Sequence, residues 1–470
     1  MNLFIKIASI VFFILEGHSV HAQKGTLIEF GWDYPDVSQL STNLPSMQKT
    51  PFDGIVFSLQ RKITDAFDTS LLKPAYFEPD KINHLKWGKY KSNFMWLWGF
   101  ATSGGSWFDD RAWQNICINM INLSKALASP GIKGVLFDPE YYYEDQLFNP
   151  WTYNKKQYPT QSFTELQAEV KKRGSQFIVA LQTHKPNLTF LSIWITSLVA
   201  VEKKTMPLEE TRHALLLSFI EGILEAKHSG VKVIDGNEFA YYYSNPSQFL
   251  ETKNILKKCL VDLMQTDKAK SEALKVGIAQ PLYYDGLLGI SPSFNRGFSN
   301  AAKWKWVEEN TKFAMAATDD ITWFYSERVN WWKGAVNDTL FDILANNKKA
   351  QATNLPIKSN ITIADKLQAR TLNVNMGEGY YYLYDTAKPM KTGNLAFNYR
   401  FNKSVKELSI KFINQLPDSV SIFLNNTLFA TVIPNTLLTS ISLDDFKKGK
   451  LVVLAKYAGG TEASAIEIYK

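Results

Sequence analysis

Gly134-Val135-Leu136-Phe137-Asp138-Pro139-Glu140 begins as a continuous apolar run and stops at two acids. Residues two apart point the same way in an extended chain, so Asp138 and Glu140 share a side. The pattern recurs. One run ends Gly31-Trp32-Asp33, another runs Ile234-Asp235-Gly236-Asn237-Glu238, and a third ends Tyr325-Ser326-Glu327. Continuous apolar runs suit buried parallel strands. Acids just past their carboxyl ends suit the face where α/β barrels keep their chemistry. Acids converging there repel one another and raise at least one pKa, which a general acid needs at neutral pH. Read as plain structure, Asp138 caps a turn, Glu140 is solvated and Asp33 caps the helix beginning near Asp36. The recurrence at separate strand ends favours a site.

Aromatic residues accompany the acids. All 13 tryptophans fall between Trp32 and Trp332. Trp32, Trp98, Trp107 and Trp331 stand at or just beyond strand ends, whereas Trp96 and Trp323 read as core. Aromatic faces suit the apolar faces of sugar rings, and carboxylates hydrogen-bond hydroxyls. Tyr142, within Tyr141–Tyr143, and the triplet Tyr241–Tyr243 read equally as rim packing or as ligand contacts. His184, in Gln182-Thr183-His184, reads as a site residue beyond a fifth strand or as a loop residue. Tyr325 and Trp331 give Glu327 aromatic surroundings.

The elements that must position these residues alternate strand and helix from Thr26 to Trp332. Strands are expected at Leu27–Gly31, Gly54–Leu59, Phe94–Phe100, Gly134–Phe137, Gln176–Leu181, Val231–Ile234, Val276–Ala279 and Ile321–Tyr325. Eight such units in roughly 300 residues predict a closed (β/α)₈ TIM barrel rather than an open sheet. Ser162-Phe163-Thr164-Glu165 predicts a capping box, with Gly174 ending that helix. The stretch from Gln60 to Lys91 is too long for an ordinary loop and is expected to shape the rim of the site. Lys333 to Ala350 reads as a last helix. Short alternating runs with turn residues between them follow, among them Leu372–Val374, Tyr380–Leu383 and Leu451–Leu454. They predict an all-β sandwich. The expected division is a signal peptide over 1–22, a barrel over 23–350, a linker over 351–360 and a sandwich over 361–470.

Composition describes a globular chain, 45% hydrophobic and 21% charged over 470 residues. Lys6, the apolar run Ile7–Leu15 and Ser19-Val20-His21-Ala22 read as a secretory leader, with no lipid-anchor cysteine. The expected location is therefore secreted or periplasmic. No run is long enough to span a membrane. The formal net charge of +7 is spread without a basic run, which argues against nucleic acid as a partner. Cys117 and Cys259 read as core thiols, and the six histidines show no metal-ligand spacing. No metal and no cofactor are expected.

Several of these stretches carry a family resemblance. Pro51-Phe52-Asp53-Gly54, Trp107-Phe108-Asp109-Asp110, the Gly134–Glu140 run, Asp235-Gly236-Asn237-Glu238, and Tyr325-Ser326-Glu327 followed by Trp331-Trp332 resemble largely uncharacterised secreted bacterial proteins described as glycoside-hydrolase-like barrels. The resemblance covers most of Thr26 to Trp332. A second stretch is similar to the chitinases of glycoside hydrolase family 18, whose fourth strand ends Asp-x-x-Asp-x-Asp-x-Glu. Asp138 and Glu140 match its last two acids, while Lys133 and Leu136 stand in place of the first two. That similarity implies an acid role for Glu140, with Asp138 assisting.

The expectation is an exported glycoside hydrolase acting on an oligo- or polysaccharide. Glu140 is the expected general acid/base, with Glu327 or Glu238 as nucleophile or water-activating base. Asp138 would orient Glu140 or steady positive charge developing on the sugar. Trp32, Trp98 and Trp331 would stack on sugars, and Asp33, Tyr142, His184, Asp235 and Tyr325 would bind substrate. Such hydrolysis needs two carboxyls across the scissile bond, ~5–5.5 Å apart for retention or ~6.5–9.5 Å for inversion. The alternative is a non-catalytic carbohydrate-binding barrel using the same cleft.

Overall fold

The computed structural model describes residues 25–59, 64–100, 105–142, 149–203, 206–243, 246–285, 300–334, 336–352, 394–401, 405–412, 416–435, 438–446, 449–456 and 466–469. The expected leader, the strands expected at Leu372–Val374 and Tyr380–Leu383, and 353–360 of the expected linker lie outside them.

One parallel sheet carries β1 (Thr26–Gly31), β2 (Gly54–Phe57), the short β3 (Thr64–Asp65), β4 (Asn93–Trp98), β5 (Ile132–Asp138), β6 (Thr189–Ser192), β7 (Lys232–Asp235), β8 (Gly277–Ile278), β9 (Gln280–Tyr283) and β10 (Ile321–Ser326). Its order is β8-β7-β6-β5-β4-β2-β1-β10-β9, with β3 beside β4. The strands β8 and β9 are one stave interrupted at Ala279. Its first piece pairs with β7 and its second with β10, so the ring closes on eight staves. Pro281 in β9 has no N–H to donate, which suits a stave that changes partner midway. The Ala279 N–H at the break donates to Asp235 O at 2.8 Å. This is a (β/α)₈ barrel.

The helices are α1 (Val37–Met47), α2 (Pro79–Asn83), α3 (Asp110–Leu127), α4 (Phe163–Leu181), α5 (Ser197–Glu202), α6 (Leu216–Ala226), α7 (Pro246–Leu263), α8 (Asp267–Ala273), α9 (Asn300–Ala317) and α10 (Asp338–Ala352). Asp36, not Asp33, caps α1, in a box with Gln39. The box at Ser162 and Glu165 opens α4. The last helix starts at Asp338, later than Lys333, and runs on to Ala352.

Two strand expectations are corrected. Gln176–Leu181 is the last part of α4, because Leu166, Val170, Phe177, Ile178 and Leu181 keep one helical phase and are all buried. Gly174 does not end this helix. A Cβ there would lie 2.0 Å from Phe219 O, and one on Gly222 would lie 2.0 Å from Lys171 O. The two glycines let α4 and α6 cross at backbone contact. The true fifth stave is β6, four buried residues. The seventh stave extends past Ala279 to Tyr283.

The barrel interior is aromatic. Phe30 meets Trp96 edge-on at 4.8 Å and Tyr325 at 5.3 Å. A second aromatic layer fills the space between strands and helices, where Phe67, Trp107, Trp113, Phe137, Trp151 and Phe219 touch one another. The stretch 64–91 belongs to this outer layer. Asn119 on α3 accepts from Leu72 N at 2.9 Å and donates to Ser70 O at 2.8 Å. Its Phe77, Ile82 and Trp87 are buried. Contrary to expectation, no described residue of 64–91 lines the cavities described below. Cys117 and Cys259 are free, half-buried thiols.

The C-terminal part is an all-β sandwich of antiparallel sheets. One has the order β11 (Asn394–Phe401), β16 (Gly449–Lys456), β13 (Ser419–Leu424), β14 (Thr427–Val432); the other has β15 (Leu438–Phe446), β12 (Val405–Phe412), β17 (Ile466–Tyr469). Ile410 and Leu443 from one sheet, and Val420, Ile422, Leu451 and Val453 from the other, are buried. No helix among the described residues is long and apolar enough to cross a membrane.

Gly174→Ala should lower stability by about 1–3 kcal/mol, because the added methyl must displace the backbone of α6. Thermal unfolding within 0.5 kcal/mol of the unchanged protein would refute the close crossing.

Candidate active site

Five chain segments leave the carboxyl ends of their staves carrying acids: Asp33 after β1, Asp138 and Glu140 at β5, Asp235 and Glu238 at β7, Asp285 after β9, and Glu327 after β10. Three of these acids meet. Glu140, Glu238 and Glu327 line one cavity of about 860 Å³, with Arg328 beside them. Trp32, Tyr142, Tyr241, Tyr283 and Tyr325 supply its aromatic walls. Tyr241 stacks on Tyr325 at 5.2 Å and 14°. Trp32 is 55% exposed and Tyr142 is 59% exposed, so both rings stand open at the mouth.

Each acid is held by its neighbours. The Trp98 indole donates to Glu140 O at 2.8 Å, and Glu140 N donates to Asp138 Oδ1 at 2.9 Å. The Trp96 indole donates to Asp138 Oδ2 at 3.2 Å. At β7, Gly236 fits where a Cβ would lie 2.6 Å from Ser192 O. Asn237 takes the left-handed conformation (φ 50°), which asparagine tolerates, and Glu238 then opens a 3-10 turn. Glu238 N donates to Ile193 O at 3.1 Å, and Tyr241 lies beside its carboxyl. Glu327 N donates to Asp285 Oδ2 at 2.8 Å.

Burial, followed by the charges of Asp138, Glu238 and Glu327, pushes the Glu140 carboxyl up to about 10. Asp138 is raised only to about 6, since Glu140 N and the Trp96 indole stabilise its charged form against burial. Glu238 is also raised, by burial and then Asp138, with the neighbouring Tyr241 hydroxyl opposing. Glu327 is raised by burial and by Asp285, while Arg328 pulls it down. Glu327 is the most exposed of the three and has a cation next to it. It is the acid best placed to ionise, and Glu140 the one best placed to keep its proton.

Other expected site residues stand elsewhere. Trp331 is 2% exposed and packs on Phe324, Phe52 and Phe341, outside the cavity. Asp33 turns back from the mouth. It accepts Trp331 N at 2.7 Å, its carbonyl accepts the Trp332 indole at 2.9 Å, and its carboxyl shares a hydrogen bond with buried Glu29. Asp235 is fully buried, accepting from Thr196 N and Oγ1 and from Asn237 N at 2.9–3.0 Å. Asp33 and Asp235 anchor backbone, and Trp331 is core. Trp98 does not line the cavity; its indole braces Glu140. His184 lies exposed between α4 and β6, at the amino ends of the staves and away from the mouth. Its expected place depended on reading the end of α4 as a strand.

Sequence reasoning left Tyr283, Asp285, Phe239 and Arg328 out of the site. Leu282-Tyr283-Tyr284-Asp285 repeats the apolar-run-then-acid signature, which would have found the first two. A second cavity, of about 390 Å³, shares Glu140 and Tyr142 with the first. Trp194 and His213 in its wall were not anticipated. Among the described residues, no group of three or more His, Cys, Asp or Glu side chains could hold a metal ion.

No family model matches the chain, and no curated protein matches it. Solved structures are similar at low identity. A GH5-4 broad specificity endoglucanase from an uncultured bacterium is 9% identical at TM-score 0.39, over 70% of this chain and 94% of its own. An Anoxybacillus alpha-amylase is 11% identical at TM-score 0.35, over 93% of this chain and 99% of its own. D-psicose 3-epimerase from Clostridium cellulolyticum H10 is 11% identical at TM-score 0.34, over 69% of this chain and 98% of its own. Likeness this distant says nothing about mechanism. The barrel assignment stands on the strand order and pairing described above.

The raised Glu140 pKa has a consequence for stability. An unfolded chain releases this proton near 4.5, while the folded chain holds it to about 10. Folding is therefore opposed increasingly as pH rises through that window. Glu140→Gln should unfold at a higher temperature than the unchanged protein at pH 8, by roughly 1–2 kcal/mol of stability. The gap should close near pH 4. Equal or lower stability of the variant at pH 8 would contradict the burial of an acid within this cluster.

Proposed function

We propose that the protein is an exported glycoside hydrolase whose substrate lies in the mouth of the barrel. The observation that carries this reading is the meeting of Glu140, Glu238 and Glu327, from three staves, in one aromatic-walled cavity. Glycosidic bond hydrolysis needs a proton donor for the leaving oxygen and a second carboxylate at the anomeric carbon. Glu140 supplies the proton, because its surroundings keep it protonated at neutral pH. Glu327 supplies the carboxylate, as nucleophile or as the base that activates water. Glu238, its carboxyl raised to about 8, borders the same space as a second acid that holds its proton at neutral pH. Asp138 positions Glu140 through the backbone N–H it accepts. Trp32 and Tyr142 give the substrate open aromatic faces, and Tyr241 and Tyr325 a stacked pair. Export rests on the Met1–Ala22 leader reading.

A glycan hydrolysis screen with reducing-end detection tests the proposal. Glu140→Gln and Glu327→Gln should each lower kcat by about 10²–10⁴ with folding intact. Full activity in either variant would overturn its role. Glycan binding without turnover in the unchanged protein would leave a carbohydrate-binding barrel. The anomer first released, read by NMR, decides between retention and inversion.

The role given to Glu327 makes a separate pH prediction. Asp285 disfavours the charged form of Glu327, so Asp285→Asn should let Glu327 ionise at lower pH. The acid limb of the pH–kcat/KM profile should move to lower pH, with the alkaline limb unchanged. An unmoved acid limb would take Glu327 out of the role of ionised partner.

A further inference from the structure

We propose that the second cavity, which shares Glu140 with the first, holds the leaving group, and that this leaving group is itself a sugar. The inference rests on the hydrolase reading and adds the direction in which substrate lies and the class of bond cut.

The two cavities have part of their walls in common. Glu140 and Tyr142 line both. Glu238 and Glu327 line only the larger. A general acid must reach the glycosidic oxygen, which joins the sugar under attack to its leaving group. The nucleophile or base must reach the anomeric carbon, which belongs to the sugar under attack. The lobe with Glu238 and Glu327 therefore takes that sugar. The second lobe takes what departs with the proton.

Its size and chemistry select the occupant. About 390 Å³ is within the range of small-molecule sites, roughly 300–1,000 Å³. Its described lining holds one carboxyl, that of Glu140, and one cation, Arg212. Asn149 and Asn154 each turn their side-chain oxygen onto their own loop, at 2.9 Å from Trp151 N and from Lys156 N. Both side chains are thereby fixed, and their Nδ2 donors have no partner among the described residues. His213 meets Trp194 edge-on at 5.4 Å. Burial, with Arg212 next to it, lowers the His213 pKa to about 4, so its ring is neutral and can both donate and accept. Amide donors, a neutral imidazole and an indole suit a ring bearing several hydroxyls. A small apolar aglycone would leave the amides unpaired.

The test compares two substrates with the same attacked sugar. One is the best oligosaccharide from the glycan screen; the other is the 4-nitrophenyl glycoside of the same sugar and anomer. Asn154→Ala and His213→Ala are measured in the full chain, with thermal unfolding as the check on folding. Each should lower kcat/KM for the oligosaccharide about 10–100-fold and for the aryl glycoside less than about 3-fold. Equal losses on both substrates, or no loss on the oligosaccharide, would overturn the proposal while leaving the hydrolase reading in place. Should His213→Ala fail to fold, Asn154→Ala, in a surface loop, decides alone. No hydrolysis of any glycoside by the unchanged protein would instead remove the hydrolase reading beneath it.

Discussion

Holding several carboxyl groups together where water is scarce is the constraint on which the rest of this protein depends. Each acid at the mouth is destabilised in its charged form by burial, and most of them further by a neighbouring acid. A soft frame would relax by letting the side chains swing out to solvent. Here the backbone on either side of each acid is tied to a different stave. Glu140 is tied through Trp98 on β4, Glu238 through Ile193 after β6, and Glu327 through Asp285 after β9. The closed ring keeps those ties in register, so the repulsion appears as shifted protonation rather than as movement.

The aromatic interior contributes to the same end. Phe30, Trp96, Trp323 and Tyr325 fill the barrel beneath the acids with side chains of low polarity. The polar groups of these four side chains are two indole N–H groups and the Tyr325 hydroxyl, and both indoles are committed: Trp96 to Asp138, and Trp323 to Gly236 O at 2.9 Å. The floor thus lowers the local dielectric and at the same time orients the loops above it. Behind the ring, Glu29 and Asp33 form a second buried carboxyl pair, which holds the Trp331–Trp332 segment rather than a ligand. Acids in this chain thus stand in two settings, a shared cavity at the mouth and backbone anchoring behind it.

The staves at β1, β5, β7 and β10 are legible in the sequence because buried parallel strands are continuous apolar runs ending at polar turns. The fifth stave is not, because the apolar face of α4 supplies a rival run at Gln176–Leu181 that a short window does not separate from a strand. Phase against Leu166 and Val170 separates them, and the misplacing of His184 follows from that one error. Trp331 shows another limit. An aromatic residue after a strand end faces the cavity or the helix layer according to the path of the loop, and side-chain type is silent on that path. The second cavity is built from residues 149–154, 194 and 212–213, which no local pattern connects.

The sequence by itself determined that acids and aromatics stand at the carboxyl ends of strands in a repeating α/β pattern, because burial and turn chemistry are local and periodic. Only the tertiary structure decided which of those acids share a cavity and which turn back to hold a loop. Convergence requires ring closure through β8 and β9, and the direction of each side chain is set by contacts between segments as distant as Asp33 and Trp331.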